Sequence, residues 1–129
     1  MDKKIHQVVL FKASPQEVYD ALMDSKKHAA FTDAKARIGK TVGEKFEAYD
    51  GYASGKNLAL MNGKKIVQKW RASDWEPGVY SRVTFIFHKT KTGTKMTFTQ
   101  EGVPGKIYAD VSQGWVEFYW DKMKKTFGW

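Results

Sequence analysis

The segment QGWVEFYWDKMKKTFGW, residues 113–129, limits the architecture more than any other stretch of this chain. Six of its residues are aromatic: Trp115, Phe118, Tyr119, Trp120, Phe127 and Trp129. On a helical wheel of about 100° per residue, Tyr108, Val111, Trp115, Phe118, Tyr119 and Met123 form one continuous apolar arc. Trp120 and Phe127 extend it past its edge, and Asp110, Glu117, Asp121 and Lys124 lie mainly opposite. A helix lying on one flat sheet needs an apolar stripe about 100° wide. This arc is wider, which predicts a helix held in the concave face of a bent sheet.

The preceding sequence supplies such a sheet. IHQVVLF (5–11) is rich in β-branched and aromatic residues and reads as a strand. Ser14-Pro15-Gln16-Glu17 places a Ser at N-cap, a Pro at the first helical position and a Glu at N3, which is a capping box. It predicts a helix from Pro15 to about Asp24 with Val18, Ala21 and Leu22 inward. KKHAAF (26–31) predicts a second short helix ending near Thr32. From residue 40 the apolar period becomes two. Phe46 and Ala48 alternate with Lys45 and Glu47. KIVQKWRA (65–72), SRVTFIFHK (81–89) and KMTFTQEGV (95–103) continue as strands, with Val83, Phe85, Phe87, Met96 and Phe98 inward. Asp50-Gly51 and Asn62-Gly63 are turn signals of the primed hairpin type. Pro77-Gly78 and Thr92-Gly93 mark two further turns. The expectation is an α+β domain: a strand, two short helices, an antiparallel meander and one long C-terminal helix. A curved sheet wrapped around one helix leaves room for a cavity between them.

The 129 residues fit a single domain, 1–129, with a core large enough to need no staple. There is no cysteine, so disulfides, thiolate metal sites and a Cys nucleophile are excluded. No apolar run approaches the roughly 18–20 residues of a membrane span, and MDKKIHQVVLF lacks the pattern of a signal peptide. A cytoplasmic monomer is expected. The net charge of +8 favours acidic partners, yet Lys and Arg are spread along the chain with acids between them. No RNP-type signature accompanies them, so nucleic acid is not expected as a partner. Membrane binding is not expected either. Asp110, Glu117 and Asp121 occupy the polar helix face, and Lys122, Lys124 and Lys125 gather in the last turn, where the helix dipole favours cations.

No catalytic constellation emerges. His6, His28 and His88 lack helical metal-ligand spacing. Gly39-Lys40-Thr41 resembles the end of a P-loop, but position 34 is Ala where that motif needs Gly. There is no G-x-S-x-G elbow and no G-x-G-x-x-G. The expectation is a protein without catalytic residues, metal or cofactor. The aromatics leave two readings open. They fill the core, or some of them line a pocket for a small apolar ligand. The pocket candidates are Phe46, Trp70, Phe85, Phe98, Trp115, Phe118, Tyr119 and Met123.

VQKWRASDWEPG, SRVTFIF, TFTQEGVP and QGWVEFYWDKMKKTFGW, with AFTDAKARIGKTVGEKFEAYDGYASGKNLAL before them, together form a pattern. Over about residues 8–129 it resembles the C-terminal domain of activators of the 90-kDa heat-shock protein ATPase. The most specific residues are Trp70-Arg71, Trp75, Gln100, Gly102, Pro104, Gly114-Trp115 and Thr126-Phe127-Gly128. The resemblance implies a START-like helix-grip fold of the SRPBCC superfamily. It also implies either docking on the chaperone to favour its ATP-hydrolysing state, or an apolar ligand held between sheet and helix. The familiar activators carry a further N-terminal domain, so this chain is expected to be a single-domain member. Trp75, at a predicted turn, is the candidate contact with the chaperone.

Overall fold

Ser14 starts the first helix as the sequence predicts. Its hydroxyl accepts from the Glu17 amide at 3.2 Å, and the Glu17 carboxylate accepts from the Ser14 amide at 3.1 Å. In this computed structural model, which describes residues 2–127, β1 (Asp2–Phe11) leads to α1 (Pro15–Met23) and α2 (Ser25–Thr32). The sheet continues with β2 (Arg37–Ile38), β3 (Lys45–Ala48), β4 (Ala53–Met61), β5 (Lys65–Ala72), β6 (Ser81–Lys89) and β7 (Thr94–Pro104). A 3-10 turn (Gly105–Ile107) opens the last helix, which comprises α3 (Tyr108–Trp115), a π turn (Val116–Trp120) and α4 (Asp121–Phe127).

Among the described residues, seven strands form one antiparallel sheet in the order β1-β7-β6-β5-β4-β3-β2. The sheet curves around the C-terminal helix, as expected. Bulges bend it, because an extra residue left unpaired on one strand bends that strand and increases the local twist. One falls at Leu58, between the pairs Asn57–Gln68 and Ala59–Val67. Another falls at Glu101-Gly102, opposite Lys4, and needs Gly102 at φ 84°. Gly55 lies inside β4, where a Cβ would sit 1.7 Å from the Lys69 carbonyl oxygen, so the close approach of β4 to β5 requires glycine there. The Asp50-Gly51 signal marks a real turn, displaced by one residue. Tyr49 and Asp50 take positive φ, and the Gly51 amide donates to the Ala48 carbonyl.

The helix departs from the straight wheel in one place. The Asp121 amide donates to the Val116 carbonyl, five residues back, which widens one turn. In an α-helix, residues five apart point in different directions; across this turn they share a face. Trp115 and Trp120 therefore stack at 5.4 Å and 18°. Trp120, expected at the edge of the apolar arc, is buried, whereas Phe118, expected within it, is 52% exposed. Phe46, Phe85, Phe98, Trp115, Tyr119 and Met123 are buried as expected, whereas Tyr108, Val111 and Phe127 of the expected arc are only half-buried.

Candidate functional site

The space between sheet and helix is largely filled. Phe98 lies 4.5 Å from Trp115 and 5.2 Å from Trp120, measured between ring centres. Each buried indole N–H needs an acceptor. Trp115 donates to the Gln100 side chain at 2.7 Å, and Trp120 donates to Gln7 at 2.6 Å. Gln100 is itself held, donating to the Ser81 hydroxyl at 2.9 Å. The internal void left beside His28, Gln68 and Tyr119 is only about 20 Å³. That volume holds about one water molecule and no organic ligand.

An open groove of about 860 Å³ lies at one end of this interior. α3 and the π turn form one wall, the starts of β1 and β4 and the end of β5 contribute to the floor, and residues 73–79 form the other wall. Of the pocket residues expected from sequence, Trp70, Trp115, Phe118 and Tyr119 line it. Phe46 and Phe85 instead face the small internal void, and Phe98 and Met123 face neither space.

Trp75 also lines the groove, but not as an exposed ring. It is 7% exposed and meets Trp70 edge-on at 5.5 Å. The cause is Arg71, whose guanidinium donates to the carbonyls of Trp75 at 2.5 Å, Glu76 at 3.3 Å and Val79 at 3.3 Å. These bonds fold the 73–79 loop back over the end of the sheet. An indole expected to project from a turn is therefore laid down on the core.

The sequence reading missed Tyr49, Tyr52, Asp74, Asp110 and Gly114 as groove residues. Tyr49 donates its hydroxyl to the Phe118 carbonyl within the π turn and stacks edge-on with Phe118 at 5.9 Å. Burial pushes its phenol up to about 12, and burial drives Tyr119 higher still. Burial, then the charge and hydrogen bond of Asp74, raise Tyr52. These phenols stay protonated at neutral pH and act as hydrogen-bonding groups. His28 is 2% exposed; its Nε2 lies 3.0 Å from the Tyr119 hydroxyl, and its Nδ1 has no partner among the described residues. Burial lowers it to about 4 and keeps it neutral. Gly114 was legible: glycine within a helix costs stability and asks for a reason.

The outer face of the sheet carries the opposite feature. Lys45, Lys56, Lys69 and Arg82 lie directly opposite one another on β3, β4, β5 and β6, and the row ends at Glu101 on β7. Only Arg82 in this row is ion-paired among the described residues, with Glu101 at 3.3 Å. Lys69 packs its ammonium over the Tyr80 ring at 4.2 Å. Like charges directly opposite in an antiparallel sheet are unfavourable.

Comparison with known proteins fixes the kinship of this architecture. The family model described as Activator of Hsp90 ATPase homolog 1-like protein matches residues 12–128. The chain belongs to that family. The Activator of 90 kDa heat shock protein ATPase homolog of Dictyostelium discoideum is 35% identical to this activator-like chain over 120 residues, which is 92% of the chain and 31% of that protein. Homolog 1 from Homo sapiens is 33% identical over 119 residues, covering 92% of the chain and 35% of the human protein. The activator-like chain thus spans about a third of the length of these relatives. The crystal structure of an HSP90 activator from Plasmodium falciparum superposes with a TM-score of 0.87 at 24% identity, covering 99% of this chain and 96% of that one. Its likeness bears on the START-like fold. No helix among the described residues is long and apolar enough to cross a membrane.

Proposed function

We propose that this chain is a co-chaperone-like docking domain that contacts the 90-kDa heat-shock chaperone in the cytosol, modulates its ATPase and performs no catalysis of its own. The observation that carries this reading is the family match over residues 12–128. The cationic row on the outer face supports it physically. Four like charges held side by side repel one another, and an acidic partner surface would relieve that repulsion while steering the encounter. Trp75 is a poor direct contact because it is buried.

The test is an amide correlation spectrum of the labelled protein, titrated with the chaperone from the same organism, with and without an ATP analogue. Signals flanking Lys56 and Lys69 should shift or broaden, more strongly with nucleotide. Exchanging Lys56→Glu and Lys69→Glu together should remove the effect. A spectrum unchanged at high chaperone concentration would refute direct binding.

A second reading has its own observation. The 860 Å³ aromatic groove has the size of a small-molecule site and fits an apolar ligand.

A further inference from the structure

The groove is electrostatically inverted relative to the molecule. The chain has 22 Lys and Arg against 14 Asp and Glu. Around the groove stand Asp2, Asp74, Glu76 and Asp110, against the single cation Lys106. None of these four carboxylates is ion-paired among the described residues, where the salt bridges are Lys40–Asp24 and Arg82–Glu101. Trp70, Trp75 and Tyr119 line the same groove, each only 6–7% exposed, and give it an aromatic, apolar inner wall.

Gly114 adds an independent sign that space is being kept. It sits within α3, where glycine weakens the helix. A Cβ there would make only an ordinary contact, 3.8 Å from Phe118, so packing does not demand glycine. What the missing side chain leaves is room on the helical wall of the groove.

Resting on the second reading above, we infer that the groove binds a cationic amphiphile: a small apolar body bearing one ammonium or guanidinium group. The apolar body lies on the indoles while the cation meets the carboxylates of Asp74 and Asp110. An anionic amphiphile of the same size would place its charge against those carboxylates and is rejected.

The test uses three probes of matched length, decylamine, decanol and decanoate, each below its aggregation threshold. Binding is followed by the indole N–H signals of Trp70 and Trp75 in a proton–nitrogen spectrum. Decylamine should bind saturably, one per chain, at least about tenfold more tightly than decanoate. Asp74→Asn combined with Asp110→Asn should erase that preference but retain decanol binding. Gly114→Leu, checked for native circular dichroism, should weaken all three. Equal binding of the three probes, or preference for decanoate, overturns the cationic specificity and leaves an apolar site. Failure of all three to perturb the groove overturns both the specificity and the ligand reading.

Discussion

The two ends of the C-terminal helix meet the same sheet and are treated differently. From the π turn onward, Tyr119, Trp120 and Met123 are buried, and Phe11 meets Phe127 edge-on at 6.1 Å. In α3, only Trp115 is buried, and Val111 and Gly114 border open space. One end is clasped and the other is a wall. The difference shows that a broad apolar arc does not by itself mean a filled grip. Large side chains close the space at one end. A glycine and a folded-back loop leave it open at the other.

The sharpest way to break this contrast is to truncate an aromatic on each side of it. Trp120→Ala should cost about 3–5 kcal/mol in urea unfolding, because it opens a cavity in the clasped end. Phe118→Ala, at the groove rim, should cost about 1 kcal/mol or less. Equal losses would mean that the groove wall is as tightly held as the core. The next effect is a pH dependence that arises at His28, beside Tyr119 of the π turn. His28 is lowered from 6.5 to about 4 by burial, so between these values the unfolded chain binds a proton that the native chain does not. Its contribution is therefore complete above pH 6.5 and falls as pH drops toward 4. The loss should be on the order of 2 kcal/mol between pH 7.5 and 5. Unfolding midpoints of the native protein and of His28→Phe, measured across that range, should diverge; parallel curves would place the proton elsewhere. The smallest effect sharpens the open end. Gly114→Ala should stabilise the protein by about 0.5–1 kcal/mol, read as a rise in melting temperature, because no contact opposes the added methyl. A destabilised variant would show that glycine is needed for packing after all.

Local and periodic signals carried the fold in the sequence. Ser14 to Glu17 is a self-contained cap, and Val83, Phe85 and Phe87 alternate cleanly, so neither needs distant residues to be read. Phe118 and Trp120 were misplaced because a wheel assumes one angular step throughout, and the Asp121-to-Val116 bond breaks that assumption. Trp75 was misplaced because Pro77-Gly78 announces a turn without saying where it folds; the three carbonyls accepting from Arg71 decide that. The groove was half visible. Trp70, Trp115, Phe118 and Tyr119 were named, but Tyr49 and Tyr52 were not, and Asp2, Asp74 and Asp110 are far apart in sequence and converge only when strand, loop and helix meet. A net charge of +8 conceals a cluster of the opposite sign.

Trp75, Trp70, Trp115 and Trp120 run as a continuous series, with successive ring centres 5.5, 5.5 and 5.4 Å apart. At such spacing their electronic transitions couple, and the indoles absorb and rotate light as an array. The first member stands in the groove and the last in the closed core. A molecule settling on Trp75 thus changes an optical signal shared with the centre of the protein, which gives the domain a built-in spectroscopic reporter that needs no label.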